Sequence, residues 1–141
     1  MFLNRLIVGF VAGLIATLVY DGIRFLIQLI FAPGINLFLA MTQFGLFITG
    51  QQNPTLLSEI IGWAYHFWNG FTFAIMYTLI IGKGKWYYGV AWAMVLELAM
   101  VLLYPTYMNV NFSSEFLSVS VVGHIGYGCV LGWLANRNIR E

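Results

Sequence analysis

Long apolar stretches dominate the chain, and polar positions interrupt them only here and there. Four stretches, 6–31, 60–81, 86–104 and 116–135, approach or exceed the 20 or so apolar residues that a helix needs to cross a hydrocarbon core. A fifth, 35–50 ("INLFLAMTQFGLFITG"), is shorter and is bracketed by "APG" and "QQNP". Such a length predicts an interfacial or re-entrant helix. The expected fold is all-α: one integral membrane domain over 1–141, a transmembrane four-helix bundle. It is made of two tandem helical hairpins, with the short helix inserted in the first connection.

Composition supports the choice of solvent. Of 141 residues, 61% are hydrophobic and 8% are charged. Soluble domains carry about 25% charged residues. The net charge of +1 gives no basic face for nucleic acid. The single cysteine, Cys129, excludes an internal disulfide and Cys-based zinc motifs.

The charges also set an orientation. Arg5 precedes the first stretch, Lys83 and Lys85 separate the second from the third, and Arg137 and Arg140 follow the fourth. With four crossings all of them fall on one side, and the positive-inside rule puts both termini in the cytoplasm. Trp86, Tyr87, Tyr88 and Trp133 are expected at the inner interface, and Trp63, Trp68, Tyr104 and Tyr107 toward the outer one.

The two halves share a pattern. "HFWNGFTFA" from His66 and "HIGYGCVLG" from His124 both read H-x-x-x-G-x-x-x-small. Gly13 and Asp21 in "GLIATLVYD" match Gly89 and Glu97 in "GVAWAMVLE". Each hairpin thus carries a carboxylate on its first helix and a histidine on its second. The first half is longer by about the inserted helix. At 1.5 Å rise per residue, Asp21, His66, Glu97 and His124 fall in one layer roughly 6 Å thick, in the outer half of the membrane. Small residues at helical steps beside them turn the same faces inward.

Buried carboxylates and histidines in a membrane pair with one another or line functional paths. The leading expectation is a divalent metal (zinc, iron or manganese) held by Asp21, His66, Glu97 and His124, with metal-dependent catalysis as an extension. Arg24, nearer the outer surface, would orient an anionic group. Asn69 and Tyr127, each three residues after a histidine, would support the site. The short helix would cover its mouth. Three alternatives stand beside this one. The first is a proton-coupled transporter working through the two acid–histidine pairs. The second is a haem b protein ligated by His66 and His124. The third is a non-catalytic accessory or scaffold subunit, with a membrane protein or a second copy as partner. There Arg24 would only pair with Asp21 or reach the headgroups.

The two H-x-x-x-G motifs and the leading "GLIATLVYD" helix resemble small bacterial four-helix membrane proteins of the domain-of-unknown-function kind. The resemblance implies four spans and a bacterial inner membrane, and it implies no activity. The long first connection is where the chain departs from that pattern.

Overall fold

The computed structural model describes residues 1–31, 33–34, 36–108 and 112–140, the side chain of Tyr107 excepted. Two expectations therefore lie outside the described residues: the belt position of Tyr107 and Ile35 as the start of the short helix. Within them are five helices: α1 (Phe2–Phe31), α2 (Leu39–Thr49), α3 (Leu56–Ile80), α4 (Trp86–Met108) and α5 (Ser114–Asn138).

Helices α1, α4 and α5 are long and apolar enough to cross a membrane. At 25 residues α3 has the length of a span. It is set apart by Trp63, Tyr65, His66, Trp68 and Asn69, which interrupt its aliphatic residues. Large apolar side chains stand exposed on the outer faces, among them Phe10, Leu18, Phe25 and Leu29 of α1 and Val95, Leu98 and Leu102 of α4. Exposed apolar patches of this extent mark a surface meant for lipid or protein rather than water.

Local chemistry sets the helix ends. Thr55 and Ser58 form a capping box that starts α3, and the Ser113 hydroxyl accepts from the Phe116 amide at the start of α5. The Asn36 side chain accepts from the Phe38 amide. That local bond keeps the chain in a turn, so α2 begins at Leu39, later than the apolar pattern predicts. Gly50 ends it in the left-handed conformation. Helix α4 runs on through Pro105, beyond the expected boundary, despite the backbone hydrogen bond that proline cannot donate.

Neighbours in the bundle run α3–α1–α5–α4, and α2 lies on α3 and reaches α4. Glycines allow the closest crossings. A Cβ on Gly128 would meet the Gly89 carbonyl and Val90 Cα, each at 2.6 Å, so α4 and α5 touch backbone to backbone. Helices α3 and α4 approach less closely. Long side chains bridge them: Trp92 Nε1 donates to the Phe73 carbonyl at 3.1 Å, and Asn69 Nδ2 donates to Tyr104 Oη at 3.3 Å.

One end of the bundle gathers the positive charge. Arg5 donates to the Leu79 carbonyl near the end of α3, and Asn4 bonds Asn138, the last residue of α5, and Arg140 just beyond it. Arg5, Lys83, Lys85, Arg137 and Arg140 all belong to this end, opposite α2.

Candidate functional site

Packing of α1 on α3 brings Asp21 to His66. His66 Nε2 lies 3.0 and 3.1 Å from the two Asp21 oxygens. Packing of α4 on α5 brings Glu97 to His124, whose Nδ1 lies 2.7 Å from Glu97 Oε2. Each packed pair of helices therefore holds one carboxylate against one imidazole, and all four side chains are largely buried.

The two pairs use opposite ring nitrogens. His66 points Nε2 at its carboxylate, leaving Nδ1 outside the pair. His124 points Nδ1, which also lies 3.0 Å from the Ser120 carbonyl. A carbonyl oxygen only accepts, so that nitrogen carries a hydrogen and Nε2 is the one left over. Ser120, one turn before His124, adds a bond absent from the first pair: its hydroxyl donates to Glu97 Oε2 at 2.9 Å. Tyr20 Oη lies 3.2 Å from the same hydroxyl oxygen. Because the serine hydrogen is committed to Glu97, the tyrosine is the donor. The order is Tyr20 to Ser120 to Glu97, with His124 donating from the other side.

Tyr20 also links the two pairs. Its ring packs against both imidazoles, with centroids 5.8 Å from His66 and 4.8 Å from His124. Among the described residues no three or more His, Cys, Asp or Glu side chains are arranged to hold a metal ion. The geometry thus lends the four-ligand metal expectation no support.

Arg24 neither pairs with Asp21 nor reaches outward. It is 1% exposed. Its guanidinium carbon lies 5.1, 5.4 and 5.0 Å from the ring centres of Tyr20, Phe38 and Phe116. Cation–aromatic attraction in a desolvated setting is worth about 2 kcal/mol. Asn69 and Tyr127 touch other groups than the histidines: Asn69 donates to Tyr104, and Tyr127 Oη donates to the Gly70 carbonyl at 2.5 Å, tying α5 to α3.

These residues surround one pocket, to which all five helices contribute. The cavity proper is small, about 90 Å³, and it opens through a wide mouth. Tyr20, Arg24, His66, Asn69, His124 and Tyr127 supply most of its polar lining, with Thr17 and Tyr104, and Met41 and Phe44 of α2 form part of its wall. Phe44 touches both Tyr65 of α3 and Tyr104 of α4, so α2 lies across the gap between those helices. Sequence reasoning missed Tyr20 and Ser120 as site residues. Ser120 had one signal, its place one turn before His124; Tyr20 had none beyond adjacency to Asp21.

Fold and site together define a small all-helical protein with membrane-type helices, built around buried acid–histidine pairs. The chain belongs to a family of unknown function, DUF6789, which it matches over residues 3–140. No curated protein and no solved structure matches it.

Proposed function

We propose that this is a four-span membrane protein that binds a ligand in the pocket beside α2 and exchanges protons with it through His66 and His124. One observation carries the reading. Both imidazoles, from different helices, line the same pocket, while Asp21 and Glu97 are outside its lining. A carboxylate bonded to one ring nitrogen fixes the ring and leaves the other nitrogen for a ligand. Burying two such pairs in a membrane is costly, and intramembrane ionisable groups are functional by default.

The gathering of five positive charges at one end supports both termini in the cytoplasm and the pocket in the outer half. With α2 outside the span count, the hairpins α1–α3 and α4–α5 follow one another as tandem units in a bacterial inner membrane. A single divalent ion shared by all four groups is less favoured, because the Tyr20 ring packs against both imidazoles.

The test is nitrogen NMR of the protein labelled at its two histidines, in lipid nanodiscs. Both rings should exchange their N–H with water. Both signals should move in Met100→Trp, which fills the pocket from α4. Rings sealed from water and indifferent to that variant would be struts of an assembly subunit, and the proposal would fall.

A further inference from the structure

Arg24 is a charge in the pocket wall without a counter-ion of its own. Among the described residues the ion pairs are Asp21 with His66 and Glu97 with His124, and neither carboxylate pairs with Arg24, although Oε1 of Glu97 is itself buried without a partner. Nε and Nη2 of Arg24 are buried and have no hydrogen-bond partner among the described residues. These two nitrogens form one edge of the guanidinium, the edge that takes two oxygens of a carboxylate or phosphate side by side. A buried charged donor left unmade is costly, and such groups call for an explanation in a native fold. The three aromatic rings around Arg24 offset part of that cost through its faces, and they leave the edge unserved.

Beside its polar residues the pocket has an apolar wall. Met41, Phe44, Phe73, Leu96 and Met100 line it, drawn from three helices. An anion that fits is therefore one with an apolar tail. From this we infer that the pocket takes an amphiphile with a two-oxygen anionic head, a long-chain carboxylate being the simplest, its head on the Arg24 edge and its tail along the apolar wall. The Phe38 and Phe116 rings must yield to admit the head, and His66 and His124 lie within reach of the same ligand. This inference rests on the reading of the pocket as a ligand site and adds the ligand's class.

The experiment is native mass spectrometry of the full chain, titrated with oleate, with oleyl alcohol, with the matching lysophosphatidate and with inorganic phosphate. Oleate should bind once per chain. Arg24→Gln should weaken it by about tenfold or more, and Arg24→Lys, which keeps the charge and loses the fork, by less. Met100→Trp should abolish it with Arg24 intact, which covers the case of an Arg24→Gln chain that does not fold. The alcohol should bind weakly and alike to every variant. Lysophosphatidate displacing oleate would support the same edge and assign a phosphate head. Oleate and alcohol binding alike, unchanged by Arg24→Gln and Arg24→Lys, would overturn the anion site and leave the pocket standing. Inorganic phosphate binding as well as oleate would overturn the tail. No binding by any probe overturns the inference; the histidine NMR then tells whether the pocket reading falls with it.

Discussion

The Tyr20 ring stands edge-on to the His124 imidazole, with centroids 4.8 Å apart and planes at 73°. The same ring also packs against His66, so one aromatic side chain touches the imidazoles of both pairs. Its hydroxyl and its ring do separable jobs. Tyr20→Phe removes only the bond to Ser120 and should cost about 1 kcal/mol. Tyr20→Ala removes the ring packed against both histidines and should cost about 3–5 kcal/mol. Unfolding in detergent measures both, and equal losses would show that the ring adds no packing of its own.

The two histidines should differ in tautomer. Bonding through Nε2 in His66 and through Nδ1 in His124 places the ring hydrogen of each neutral imidazole on a different nitrogen. With only two histidines in the chain, nitrogen shifts separate the two forms directly. Two identical tautomers would contradict the geometry.

Gly128→Val should push α5 off α4, because the added carbons meet the Gly89 carbonyl and the Val90 Cα rather than a side chain that can turn away. Overpacking of this kind costs about 1–3 kcal/mol. A lower melting temperature for Gly128→Val, beside an unchanged or slightly raised one for the open helical position Gly22→Ala, is the expected pair of results.

Elemental analysis of purified protein addresses the metal. With no three His, Cys, Asp or Glu side chains among the described residues arranged to hold an ion, the expected content of zinc, iron or manganese is well below one per chain. Stoichiometric metal, lost in both His66→Ala and His124→Ala, would reverse that outcome and mean that the pairs close around an ion when it binds.

Part of the site was legible in the sequence. Asp21, His66, Glu97 and His124 stand out as acids and histidines inside apolar stretches, and one acid could be expected against one histidine. The structure pairs them in that way. What links the pairs was not legible: Tyr20 shows only a place beside Asp21, and nothing in its spacing points at His124. The cage of Arg24 was hidden for a similar reason. Phe38 precedes α2 and Phe116 lies in α5, so their meeting depends on tertiary packing that no local pattern carries.

The loose approach of α3 and α4 has a consequence for supply. Hydrogen bonds from Trp92 and Asn69, each worth about 1 kcal/mol, bridge that side, where the other helix pairs pack more closely. That side closes more loosely than the others, and α2 lies across part of the gap. If the pocket takes the inferred amphiphile, entry between α3 and α4 would keep the guest within the lipid, and its occupancy would track its mole fraction in the leaflet rather than its concentration in water.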